Sequence, residues 1–204
     1  MALDQLTPAA LGFSPHSGWA AVVCLGGPVS SPVIIERRRI SLTSGPLPCE
    51  PYHWAKRREG AEAREIVAGA AAEARKLAEA AIAELSSAAG ARGYEVVAGG
   101  VITGRGRPDF TFQQALATHA AMHNAEGWLF REALIETGQE LTLGMTAAPP
   151  DAVYAETAAV VSTTAPEIEA QIKELGVDLG PPWGKDEKLS SAVAWLALAR
   201  AQPR

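Results

Sequence analysis

His119, His123 and Glu126, spaced H-x3-H-x2-E, are the densest group of chemically able side chains in this sequence. At about 100° per residue the three fall within a narrow arc of one helix face. Leu116, Phe130, Ala133 and Leu134 share that arc, while Asn124, Arg131 and Glu132 point elsewhere, so the polar groups are embedded in the apolar side. A carboxylate placed there is costly unless it is paired and hydrogen-bonded. Glu126 therefore needs a partner, and a histidine is the expected one.

The chain has four histidines. If the helix bearing His119 and His123 packs across a sheet near the mouth of the first strand, then His16, in the first turn, and His53, after the third strand, are candidates for the same neighbourhood. Three chemistries suit such a group. Imidazoles beside a carboxylate can do general acid/base work, with Ser14 or Ser17 as a nucleophile. Histidines four apart on a helix, His119 and His123, can both reach one divalent metal, and a carboxylate or third histidine completes three ligands, although the spacing is not HExxH. A buried His–Glu network can also simply fix a helix to a sheet.

The elements that must position these residues follow from periodicity and breakers. Leu11 to Phe13, Trp19 to Leu25 and Pro32 to Leu42 are apolar or β-rich runs around the turn formers of 14–18, an opening antiparallel meander. The stretch from Ala55 to Ala89 is rich in Ala, Glu, Arg and Leu and predicts a long helix. Tyr94 to Thr103 predicts a buried strand. Thr111 caps a helix expected from Phe112 to Gly138, and Leu141 to Met145 supplies a short last strand before Pro149-Pro150. Helices are expected at Asp151 to Val161, Pro166 to Leu175 and Asp186 to Ala201. Three strands, helix, strand, helix, strand, then helices predict an α/β fold with a mixed sheet and helices on its faces.

With 204 residues and 48% hydrophobic composition, the chain is expected to form a single domain over 1–204 with a core that needs no staples. It shows no basic start followed by an apolar run and no membrane-length apolar segment, so a cytoplasmic protein that does not span a membrane is expected. Cys24 and Cys49 lack CxxC spacing and are expected as reduced thiols. A net charge of -5 gives no basic field over the whole surface, so nucleic-acid contact must be local. Arg37, Arg38 and Arg39 form one candidate patch, with Lys56, Arg57 and Arg58 a second and Arg105 and Arg107 a third. Trp54, Trp128, Trp183 and Trp195 suit core or dimer packing. Trp128 falls on the polar side of its helix, where an exposed ring often marks an interface.

Gly12-Phe13-Ser14-Pro15-His16, followed by Gly18-Trp19, resembles the opening of RuvC-type Holliday-junction resolvases, whose motif is Gly-Ile-Asp-Pro-Gly with a Gly-aromatic pair soon after. Pro166 to Leu175 followed by Lys185 to Ala199, with Ser191-Ala192-Val193-Ala194, looks like that family's closing helices, which end in Asp-Ala-Leu-Ala. The resemblance implies a ribonuclease H-like mixed five-stranded sheet and a cleft at the first strand for a nucleic acid or nucleotide, and a homodimer is expected besides. The family's acidic positions differ here. Ser14 stands at the first, Ile102 or Thr103 at the second, and Lys188 and Ser191 at the last two, so the usual two-metal centre is expected to be absent. Asp186 and Glu187 are either displaced carboxylates or first-turn acids that favour the helix dipole. Three functions stay open: a nucleic-acid or nucleotide binder with altered or absent hydrolysis, a small-molecule or metal-dependent hydrolase built on the His/Glu face, and a non-catalytic dimeric interaction module.

Overall fold

The computed structural model describes residues 6–45, 48–104, 106 and 108–202. The apolar runs at the start form a meander of β1 (Thr7–His16), β2 (Trp19–Gly26) and β3 (Val33–Ser41), antiparallel throughout. Its first hairpin closes over Ser17 and Gly18, and Gly18 takes φ +78°, a conformation that glycine adopts without steric cost. Helices α1 (Pro51–Ala55) and α2 (Gly60–Gly90) lead to β4 (Tyr94–Ile102), which runs parallel to β1. Helices α3 (Phe112–Ala115) and α4 (His119–Glu140) lead to β5 (Gly144–Ala148), parallel to β4. Then follow α5 (Val153–Val161), α6 (Ala165–Leu175), a 3-10 turn at Val177–Leu179 and α7 (Lys185–Ala201). The sheet is mixed and five-stranded, in the order β3-β2-β1-β4-β5.

Four element boundaries depart from expectation, the first being β1, which starts at Thr7 and runs on through Ser14, Pro15 and His16, where a turn was expected, because these residues stay paired with β2. The helix expected from Phe112 to Gly138 is two helices, because Thr118 repeats the capping that Thr111 provides: its hydroxyl accepts from the Ala121 N–H at 3.1 Å and starts α4 afresh. Leu116 therefore lies outside α4. The last strand begins at Gly144 rather than Leu141, since Thr142 takes φ +61° in the turn that ends α4. The long helix starts at Gly60 instead of Ala55, because Pro51 seeds the separate short α1 and Gly60, at φ +56°, begins α2.

Side chains alternate across the sheet with period two. Ala9, Leu11 and Phe13 of β1 and Ala20, Val22 and Cys24 of β2 pack under α2 and α4, with Ile82, Leu85, Phe130 and Leu134. Ala10 of β1 and Val23 and Leu25 of β2 face the other way, against α5, α6 and α7. Helix α7 is buried nearly all round from Leu189 to Ala199. It lies directly on the strands because Gly12 and Gly100 are paired in register beneath it: a Cβ on Gly12 would stand 1.9 Å from the Ser190 carbonyl oxygen, and one on Gly100 2.4 Å from that of Val193. Both contacts are far inside van der Waals range, so glycine at these positions sets the height of α7 above the sheet.

Candidate functional site

Helix α4 runs antiparallel to β4, which brings its first turns to the edge where β1 and β4 end, and α1 lies beside it. Glu126 is fully buried there. Its Oε1 accepts three hydrogen bonds, from the backbone N–H of Tyr52 at 3.1 Å, that of His53 at 3.0 Å and His53 Nδ1 at 2.8 Å. The two backbone donors are first-turn N–H groups of α1, which have no acceptor within their own helix. His53 Nε2 lies 2.9 Å from His119 Nδ1, and His119 Nε2 lies 3.0 Å from His123 Nε2. His123 Nδ1 stands 3.6 Å from Glu126 Oε2, beyond hydrogen-bonding reach, and Oε2 is buried without a hydrogen-bond partner. His119 and His123 are exposed and His53 is part-buried, so the three clustered imidazoles lead from one buried carboxylate out to the surface.

Tyr52 joins this cluster to a cavity of about 480 Å³ between α2 and α4. Tyr52, Phe110, Phe112 and Trp128 give it four aromatic rings, and Arg64 and Arg75 give it two guanidinium groups beside the carboxylates of Glu132 and Glu136. Arg64 stands 4.8 Å from the centroid of the Phe112 ring, and Arg75 pairs with Glu136 at 3.0 Å. Burial pushes the Tyr52 phenol above its ordinary range, with Glu132 and Glu126 adding to the effect, so it stays neutral. Trp128, expected as an exposed interface ring, is instead half-buried in the cavity wall, with its Nε1 buried and without an acceptor. The α4 face that carries it, polar by sequence, is covered by α2.

His16 does not join the other three histidines. It and Ser14 sit on even positions of β1 and face α7, whereas His53, His119 and His123 lie with α1 and α4 on the opposite side of the sheet. Asp186 accepts there from the Ser14 hydroxyl at 3.1 Å and contacts His16 Nε2 at 3.0 Å. His16 stacks on Trp19 at 4.2 Å between centroids, and Arg39 lies 3.5 Å over the same Trp19 ring. The Ser14 hydroxyl is thus directed to a carboxylate and not to an imidazole base. Glu187 turns away and accepts from the Gly184 N–H at 2.8 Å.

The arginine patch is engaged with the protein itself. Arg37 donates to the carbonyls of Leu179, Pro181 and Pro182, and Arg38 pairs with Glu36 and Glu84. Arg105 and Arg107 lie outside the described residues. Among the tryptophans, Trp195 is core and donates to the Val29 carbonyl at 2.9 Å, while Trp54 is exposed. Sequence reading did not anticipate the α1 backbone donors to Glu126 or the cavity. Pro51 just ahead of Tyr52-His53 was the available signal, since proline marks a helix start and the first N–H groups of any helix have no acceptor within it.

No family model matches the chain, and no curated protein matches it. Among solved structures it is similar to Thermus thermophilus RuvC in complex with a Holliday junction substrate, with TM-score 0.51 and 13% identity, covering 92% of this chain and 90% of that one. A second Thermus thermophilus RuvC structure is similar at TM-score 0.50 and 13% identity, covering 92% of each chain. At this identity the likeness shows the fold, which is the ribonuclease H-like α/β fold of RuvC. No described helix is long and apolar enough to cross a membrane.

Proposed function

We propose that this protein hydrolyses a phosphoester of a nucleotide or a short single-stranded nucleic acid, using the His53, His119, His123 and Glu126 cluster instead of paired carboxylates at the end of β1. The observation that carries this reading is the fully buried Glu126 beneath three mutually contacting imidazoles. Burying a carboxylate is expensive, and a satisfied apolar contact would hold α1 to α4 as well. A carboxylate that accepts from one ring nitrogen fixes that ring's tautomer and direction, the arrangement that makes an imidazole a positioned acid or base. In the reaction, water adds to phosphorus, an exposed imidazole lone pair takes the water proton, and the bond to the leaving oxygen breaks as that oxygen takes a proton from solvent.

The substrate class rests on two supports. The scaffold is that of a protein captured with a branched DNA, and the neighbouring cavity offers aromatic rings for a base and the Arg64 guanidinium for phosphate, Arg75 being paired with Glu136. Because Arg37 and Arg38 are occupied internally, a small ligand suits the surface better than a long duplex, whose affinity depends on many phosphate contacts. The paired Mg²⁺ ions that the fold family implies do not fit the end of β1. A hard cation pair needs several carboxylates, and Asp186, the carboxylate that faces Ser14 there, already serves Ser14 and His16.

Turnover of a dinucleotide, a nucleoside monophosphate and single-stranded and branched DNA tests the reading. His119→Ala should lose about 100-fold or more, the usual worth of a general acid or base, with an unchanged melting curve. Asp186→Asn should stay within about twofold. A folded protein that turns over no phosphoester at all overturns the proposal.

A further inference from the structure

We propose that His53, His119 and His123 form a three-nitrogen site for one borderline divalent cation of the Zn²⁺ class, with Glu126 as the carboxylate that orients two of the ligands. This deepens the hydrolytic reading by naming the cofactor of the same site, with the imidazoles as ligands in place of a free base, and its own support is the gathering of three imidazole nitrogens over a buried carboxylate, which holds whether or not a substrate is turned over.

Four contacts close a ring: Glu126 Oε1 to His53 Nδ1 at 2.8 Å, His53 Nε2 to His119 Nδ1 at 2.9 Å, His119 Nε2 to His123 Nε2 at 3.0 Å, and His123 Nδ1 to Glu126 Oε2 at 3.6 Å. Every atom in the ring is a nitrogen or a carboxylate oxygen, so each contact needs one proton to be attractive. Three neutral imidazoles carry three protons, one per ring. With Glu126 ionised and all three rings neutral, one contact sets two lone pairs against each other, and either a further proton or a cation relieves it. With the first three contacts protonated, the deficit falls on the fourth, which is the long one, and it leaves Glu126 Oε2 buried and unpartnered. An isolated buried acceptor of this kind is rare in folded proteins.

A cation removes the deficit. If His53 and His123 both carry their protons on Nδ1, both oxygens of Glu126 receive a donor, and both Nε2 lone pairs turn toward His119. A positive ion among the three rings then accepts those two lone pairs and one from His119. One ligand nitrogen from each ring already lies within 4.8 Å of the others. Tetrahedral Zn²⁺ with Zn–N near 2.0–2.1 Å sets its ligands about 3.3 Å apart, and His119 offers it only one of its two ring nitrogens, so the contact that nitrogen makes opens by roughly 0.4 Å while the widest pair, within 4.8 Å, closes by up to about 1.5 Å. His119 and His123 are exposed and free to turn that far. Three nitrogens and an open fourth position select Zn²⁺, Co²⁺ or Cu²⁺ over Mg²⁺ and Ca²⁺, which prefer oxygen. The carboxylate behind the ligands matches the outer-shell partner that metal-bound histidines usually have.

The chelator-treated full-length chain is titrated with Co²⁺, followed by absorption, and with Zn²⁺ against a chromophoric chelator. One ion per chain is expected, with the intense visible absorption of four-coordinate Co²⁺ and displacement by Zn²⁺ but not by Mg²⁺. His119→Ala, on an exposed side chain, should weaken Zn²⁺ binding by at least 100-fold, and Glu126→Gln by roughly 10- to 100-fold. Zn²⁺ should raise the melting temperature of the parent protein and leave that of His119→Ala unmoved. No Co²⁺ absorption from a folded chain overturns the proposal, and so does Zn²⁺ affinity equal in parent and His119→Ala. Phosphoester turnover that persists in chelator without bound metal overturns the metal site while leaving the hydrolytic reading standing. A bound ion with no turnover does the reverse.

Discussion

Two histidine–carboxylate clusters stand at the same edge of the sheet, on opposite faces, and they are built differently. On the α7 face, Asp186 remains about one-third exposed and holds one histidine and one serine. On the α4 face, Glu126 is sealed from water and holds His53 together with the first N–H groups of α1. An exposed pair forms and breaks at little cost because water replaces either partner. A buried carboxylate has no such substitute, so its donors must be supplied by the fold, and the imidazoles above it inherit a fixed geometry. Burial of the acid, more than the presence of histidine, separates a preorganised site from an ordinary surface contact.

The largest expected effect tests what supports the α7 face. Gly12→Val places a side chain within the Ser190 backbone and should cost about 3 kcal/mol or more, or abolish folding, as read by denaturant melts. A Gly12→Val protein with parental stability would show that α7 is not seated on the strands as described. Next, Glu126→Ala strands the Tyr52 and His53 N–H groups and should cost about 1 to 3 kcal/mol or more, while Glu126→Gln keeps an acceptor for them and costs less. Equal, small losses in both would erase the contrast between the faces. Asp186→Ala should then cost about 1 kcal/mol or less, since the pair it breaks is solvated. A loss matching that of Glu126→Ala would likewise collapse the distinction. The smallest effect is on reactivity alone. Burial pushes the Cys24 thiol up to about 12, so at pH 8 it stays protonated and only the exposed Cys49 should react with a thiol reagent. Two fast thiols per native chain would mean that the core around Cys24 opens readily.

The sequence alone determined the element order, because apolar period and glycine or proline breaks act locally: the meander, the long helix after it, the strand at Tyr94 and the closing helices can all be read from neighbours a few residues apart. It also determined that Glu126 needs a donor, since the arc it shares with Phe130 and Leu134 is apolar. It misjudged where Phe112 to Leu143 breaks, because Thr118 and Thr142 act through a side-chain cap and a left-handed turn that hydrophobic periodicity does not register. Only the tertiary structure decided which histidines meet. His16 is parted from His53, His119 and His123 by the alternation of β1, and His53 joins them through the placement of α1, a five-residue helix whose packing is set by contacts with α2 and α4. Proximity between residues 53 and 119 is a property of the folded chain, since nothing in the local run of either segment encodes the distance between them.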